Sequence, residues 1–183
     1  MKEVIKDDPQ AIIYAMDEAG IKRQSSITSG WFVRGEKAIV LSSPTHEKVN
    51  LVGAVKLSNG AIIIDRVNQF CQDDCIGFLK KIAEKEAGTK GAIYVILDNA
   101  RPHRAKSVKE YLEQDPNNRI VLLFLPPYSP ELNPSESIWL QLRREKTHNI
   151  FFETMIALNE AITAFENKYS MANKPMESLC AIF

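Results

Sequence analysis

The chain has 183 residues, 45% of them hydrophobic and 25% charged, enough for one domain with a full core and ordinary for a soluble globular protein. Its 23 basic and 23 acidic residues cancel, which argues against a protein that grips nucleic acid by bulk charge and leaves room for local basic patches. No apolar run approaches the roughly 20 residues of a membrane span. The polar start MKEVIKDDPQ is no signal peptide, so a cytoplasmic protein with no membrane partner is expected.

Residues 1–10 read as a frayed lead-in closed by Pro9. Ala11–Met16 (AIIYAM) is an apolar run that suits a strand buried on both faces. It ends in Asp17-Glu18-Ala19-Gly20, an acid and turn signal. Residues 22–30 read as loop. Trp31–Val33 and Lys37–Leu41 around Arg34-Gly35-Glu36 predict a short hairpin. Val49–Leu57 and Ala61–Val67 flank Ser58-Asn59-Gly60, and Asn-Gly between apolar runs is a strong hairpin signal. The first half is therefore an antiparallel meander.

The period then changes. Cys71–Ala87 carries Cys71, Cys75, Ile76, Leu79, Ile82 and Ala83 at helical spacing, with acids early and lysines late, as the helix dipole favours. Gly91–Leu97 is a second buried strand and Ala105–Gln114 a short helix ended by Asp115–Asn118. Ile120–Leu125 is a third apolar strand, followed by a rigid loop over Pro126–Pro130. Asn133 then reads as an N-cap with Pro134 at the first helical position of a helix to about Thr147. A last helix over Thr154–Tyr169 carries Met155, Leu158, Ile162 and Phe165 on one face, and the tail after Lys174 reads as loosely attached. Strands separated by helices are parallel neighbours. The expected fold class is α/β, one mixed sheet flanked by helices, in a single domain over 1–183. Three cysteines, Cys71, Cys75 and Cys180, with no His pair nearby, read as reduced thiols rather than a zinc site.

Asp17 and Asp98 each directly follow an apolar strand, and ligands of open α/β sheets bind beyond the carboxyl ends of strands. If the two strands are parallel neighbours, the acids lie side by side. The competing reading is that an acid after a strand opens a turn. Glu136 emerges on the same side, after the third strand, but Asn133-Pro134-Ser135-Glu136 also fits a capping box. Carboxylates are hard ligands that suit Mg²⁺ or Mn²⁺. Three of them can hold two such ions about 3.5–4 Å apart, one activating an attacking oxygen and one stabilising a leaving oxygen.

These residues resemble a known family. LDNARPH (Leu97–His103) and LPPYSPELNPSESIW (Leu125–Trp139) are similar to the catalytic domain of mariner-superfamily transposases, the bacterial insertion-sequence branch above all. The resemblance covers nearly the whole chain. It implies a ribonuclease-H-like fold and an Asp-Asp-Glu triad of Asp17, Asp98 and Glu136, which would act as catalytic residues and metal ligands for two Mg²⁺ or Mn²⁺ ions. Trp31 to Gly35 matches the family's Trp-x-x-x-Gly element, and thirty-seven residues lie between Asp98 and Glu136, within the family's short spacing. Glu18 and Glu131 are nearby acids that the motif positions pass over. His103 falls in the Asp-Asn-x-x-x-His pattern and would help shape the site; a His bonded to backbone is the alternative. Asn99 would order the turn.

Arg101, Arg104, Lys106 and Lys109 follow Asp98 with no acid between them, and Arg143, Arg144 and Lys146 follow Glu136. Nucleic-acid contact is expected of Arg101, His103, Arg104 and Lys106, against the reading of a solvated helix face. The resemblance implies hydrolysis at transposon ends and strand transfer into target DNA, with DNA and further copies of the chain as partners. Full-length relatives carry helix-turn-helix modules ahead of the catalytic domain. Here the first strand begins near residue 11, so an upstream-encoded helix-turn-helix product is the expected partner for choosing the DNA. The alternatives are a catalytically silent remnant that binds DNA or regulates, and another nuclease of the same fold.

Overall fold

The most apolar stretch near the start of the chain must be screened from water on both faces, and it is, at the centre of a sheet. The structure is a computed structural model that describes residues 8–31, 33–37, 39–42, 44–114 and 118–181. Strands β1 (Ile12–Lys22), β2 (Lys48–Lys56), β3 (Ile62–Val67), β4 (Ile93–Leu97) and β5 (Ile120–Phe124) form one sheet in the order β3-β2-β1-β4-β5. The pairs β1–β2 and β2–β3 are antiparallel, and β1–β4 and β4–β5 parallel. This is the expected mixed α/β sheet. Gly60 takes the left-handed turn conformation, φ +72°, in the β2–β3 hairpin.

Alternation along the strands divides the core in two. Ile13, Ala15, Leu51, Val55, Ile62 and Ile64 face helices α3 (Glu136–Leu142), α4 (Met155–Tyr169) and α5 (Lys174–Cys180). Tyr14, Met16, Val52, Ala54, Val95 and Leu97 face α1 (Gln72–Lys85) and α2 (Lys106–Gln114). Helix α3 runs on into a wider turn, Arg143–Thr147, closed by His148 N donating to Arg143 O at 2.8 Å. Among the described residues no helix is long and apolar enough to cross a membrane.

The first strand differs from expectation. Strand β1 does not stop at Met16. It continues to Lys22 because β2 pairs with it along the whole length, Asp17 opposite Gly53 and Lys22 opposite Lys48. Asp17 therefore lies inside a strand rather than after one, and the turn expected at Asp17–Gly20 does not form. The hairpin expected over 31–41 falls partly on residues 32 and 38, outside the described residues. Its turn is present, with Glu36 N donating to Val33 O at 3.1 Å, but no strand pairing joins the described residues around it. The expected break after α2 falls on residues 115–117, also outside the described residues.

The tail after Lys174 is not loose. Asn173 Oδ1 caps α5 by accepting from Met176 N at 2.9 Å, and Met176 and Cys180 are buried. Helix α5 sits so close to the hairpin turn that a Cβ on Gly60 would lie 2.3 Å from Glu177 N. We expect Met176→Ala to remove about 2–4 kcal/mol of stability, read as a fall in the urea midpoint at constant slope. A midpoint unchanged within error would return the tail to a frayed end.

Candidate active site

The parallel register places the first two acids. Ile12 pairs with Ile93 and Ala15 with Ile96; two residues further on, the same register sets Asp17 level with Asp98. Strand alternation turns Asp17 to the α3 side, with Ala15, and Glu18 to the α1 side, with Met16. The choice between the two neighbouring acids is thus made by the sheet: Asp17 and Glu18 point to opposite faces.

Glu136 is delivered by the start of α3. Asn133 is the effective cap, its Oδ1 accepting from Ser135 N at 3.2 Å and from Ser135 Oγ at 2.5 Å. Its Nδ2 donates to Met16 O at 3.2 Å, which ties the helix start to β1 beside Asp17. The capping-box alternative for Glu136 fails: Asn133 N donates to Pro130 O at 2.9 Å instead, and the exposed Glu136 carboxylate has no hydrogen-bond partner among the described residues. One helical turn on, Trp139 Nε1 donates to Asp17 Oδ2 at 3.0 Å. The indole lies over Gly53, where a Cβ would come within 2.6 Å of Trp139 Cη2. A glycine inside a strand marks such a close approach. Together with the Glu136-to-Trp139 spacing it was the available sequence signal for a role that sequence reasoning missed.

Asp98 is held from its other side. Its Oδ1 accepts from Ala100 N at 2.8 Å and His103 Nδ1 at 2.9 Å. His103 Nε2 donates to Glu18 Oε1 at 2.7 Å. Burial by itself pulls the His103 pKa down, but the hydrogen bond and charge of Glu18 and the charge of Asp98 outweigh it and raise it. His103 is 2% exposed with both ring nitrogens occupied. That removes it from the expected nucleic-acid contacts, because no phosphate can reach it. Asn99 does order the turn, donating from Nδ2 to Leu125 O at 2.6 Å and accepting from Arg104. Arg104 also stacks 4.8 Å over Phe124. Lys106 is exposed and pairs with Glu110 at 3.0 Å, a solvated contact of little energy. Arg101 is exposed on the 3₁₀ turn Arg101–Arg104.

Asp17, Asp98 and Glu136 line one cleft of about 440 Å³, walled by Asn99, Ala100, Asn133 and the loop Leu125–Pro130. Among the described residues no lysine, arginine or histidine lines it. Burial pushes the Asp17 carboxyl up to about 7, and the negative charge of Glu136 adds to the rise. Among the described residues no three His, Cys, Asp or Glu side chains are already drawn together as a closed ligand set. What the cleft offers is three hard oxygen donors, uncompensated by any cation of the protein, and that donor set fits a divalent ion such as Mg²⁺ or Mn²⁺.

The family profile described as DDE superfamily endonuclease matches residues 12–159. The chain belongs to that family. The chain is 26% identical over 153 residues to the insertion element IS630 uncharacterized 39 kDa protein of Shigella sonnei, covering 84% of this chain and 44% of that one. It is similar to the crystal structure of the catalytic domain of Mos1 mariner transposase, with TM-score 0.62, 15% identity, and coverage of 90% of this chain and 72% of that one. It is also similar to the Mos1 mariner paired end complex with Mn, with TM-score 0.64, 17% identity, and coverage of 90% and 50%. The chain therefore has the ribonuclease-H-like fold that the resemblance implied. It spans less than half the length of the curated relative that it matches.

Two outcomes follow from this geometry. An unfolded Asp titrates near 3.8 and Asp17 near 7, so between those values the folded chain holds an extra proton and loses stability as pH rises. In metal-free buffer Asp17→Asn should gain on the native chain from about pH 4 upward and level off above about pH 7, by at most about 4 kcal/mol. A stability difference that is flat with pH would refute the buried-carboxyl account. Gly53→Ala should cost about 1–3 kcal/mol by displacing the indole, and the Trp139 Nε1–H resonance should shift. An unmoved resonance would place Trp139 elsewhere.

Proposed function

We propose that this endonuclease is the catalytic part of a DNA transposase that cuts a phosphodiester at an element's end and joins the freed 3′-hydroxyl to target DNA. The observation that carries the reading is the cleft itself: three carboxylates from three separate elements, one pushed up in pKa by burial and by the charge of Glu136, with no cation among the described residues that line it. Asp17, Asp98 and Glu136 would hold the metal, one or two ions of Mg²⁺ or Mn²⁺. When bound, it would supply the positive charge that activates an attacking oxygen and steadies a leaving one. Two similar structures, Mos1 mariner paired end complexes with Mn and with Mg, support that choice of ion.

The chain's own residues define the rest. Trp139 and the β1–β2 pairing hold Asp17, His103 and Ala100 hold Asp98, and Asn133 docks the helix that carries Glu136. The proline-braced rim Pro126–Pro130 leaves the mouth open to an extended strand of nucleic acid. A second polar hollow, of about 470 Å³, is lined by Lys22, Arg143, Ser25 and Ser26. Neither cation has an ion-pair partner among the described residues. Arg143 lies two helical turns, roughly 10 Å, from Glu136, the rise of about three phosphates along one strand. The backbone of the DNA would run from the cleft to this hollow, with Arg101 on the other flank. Joining two element ends in one event places at least two copies of the chain on DNA. The neutral charge supports leaving the choice of DNA to a further module, such as a helix-turn-helix product.

The test is Mn²⁺-dependent nicking of duplex DNA. Asp98→Asn should abolish nicking while the protein stays folded, and Mn²⁺ should raise the melting temperature of the native chain but not of that variant. Undiminished nicking by Asp98→Asn would sink the assignment. A native chain that binds DNA but neither Mn²⁺ nor Mg²⁺ would establish the alternative of a catalytically silent DNA-binding remnant.

A further inference from the structure

Glu18 is the acid that the motif passes over, and strand alternation bars it from the cleft. Its carboxylate is nevertheless committed, 2.7 Å from His103 Nε2. His103 is sealed in place: its side chain is fully buried, Phe70 packs edge-on against it at 5.4 Å, and it rides on the short turn that Pro102 stiffens. Both of its partners are carboxylates and can only accept, so both ring nitrogens donate. Asp98, by contrast, is half-exposed at a strand end, where a free carboxylate would rotate. Ala100 N and His103 Nδ1 both bond the same oxygen, Oδ1, which leaves Oδ2 for a ligand in the cleft.

We propose that Glu18 and His103 are positioning residues for Asp98: Glu18 clamps the far edge of the imidazole, whose near edge fixes Oδ1 and turns Oδ2 into the cleft. This rests on the proposed function, since it gives Asp98 a ligand to meet. A purely structural role explains the geometry less well. Burying an imidazole between two acids is costly to assemble, and an apolar side chain would fill the same space as well or better. The benefit appears only if the orientation of Asp98 matters. Outer partners that orient a metal-binding side chain typically change metal affinity by about 10–100-fold when removed. The arrangement also gives each strand acid a donor from a neighbouring element: Trp139 for Asp17 on one face of the sheet, His103 for Asp98 at its top.

The experiment is Mn²⁺ titration of the full chain by calorimetry, with thermal melts of each variant. Glu18→Ala should weaken Mn²⁺ about 10–100-fold. Glu18→Gln, which still accepts from Nε2–H, should stay within about threefold and so rescue the loss. An equal loss in both variants, or none in Glu18→Ala, overturns the proposal. Should Glu18→Ala fail to fold, the native chain still decides: on adding Mg²⁺ the His103 Nδ1–H resonance must shift, and an unmoved signal overturns it. A native chain that binds neither ion overturns this inference together with the proposed function. A native chain that binds Mn²⁺ while Glu18→Ala binds equally well overturns this inference alone.

Discussion

The site depends first on the register of β1 between its two neighbours. A one-residue slip against β4 would send Asp17 to the α1 side and bring Glu18 into the cleft, because side chains alternate with period two. That register is held from both sides: by four parallel pairs with β4, Ile12 to Ala15, and by antiparallel pairing with β2 from Tyr14 to Lys22. The two neighbours end at different points. Past Ala15 the ladder to β4 stops while the ladder to β2 continues, so Asp17 is braced on one edge and open on the other. An acid that must be rigid yet reachable needs this asymmetry.

Helix α3 supplies the second constraint, and it uses three residues at successive turns. Asn133 fastens the helix start to the Met16 carbonyl, Glu136 faces the cleft, and Trp139 lies on the sheet over Gly53. The absence of a side chain at Gly53 is therefore part of the site, although Gly53 carries no chemistry. Moving the helix by the width of one methyl group would lift the indole from Asp17 and shift Glu136 at the same time. Packing and placement of the acids are one problem here, solved by the same contact.

Much of this was legible in the sequence for identifiable reasons. The apolar runs marked β4 and β5, the Asn59-Gly60 pair marked the β2–β3 hairpin, and helical spacing marked α1 and α4. All three acids line one cleft, although Asp17 lies inside β1 rather than after a strand. What misled was Asp17–Gly20. Two acids and a glycine read locally as a turn, but Ala19 and Ile21 alternate inward along a partner strand thirty residues away, and tertiary pairing overrode local propensity. Helix α5 was missed because its seven residues carry little periodicity, although Asn173 before Lys174-Pro175 was a usable start signal. The motif implied that His103 helps shape the site, and its spacing from Asp98 was local. Its bond to Glu18 on β1 is one that no local spacing records.

The C-terminal end of α1 holds a buried carboxylate that shows what a merely structural acid looks like. Glu86 is 4% exposed, and its Oε1 accepts from both Tyr14 Oη and Lys56 Nζ at 2.7 Å. Its charge is matched and its hydrogen bonds are made, so its burial needs no ligand to complete it. Asp17, on the same strand as Tyr14 and three residues away, has one indole donor from the side chains around it, a second carboxylate for a neighbour, and no cation. The same strand thus carries the partner of a finished acid at one end and an unfinished acid at the other. Local rules of satisfaction are obeyed where the chain only has to fold and relaxed where it has to bind. By that contrast the deficit of positive charge in the cleft is the feature of the fold that the proposed metal would make good.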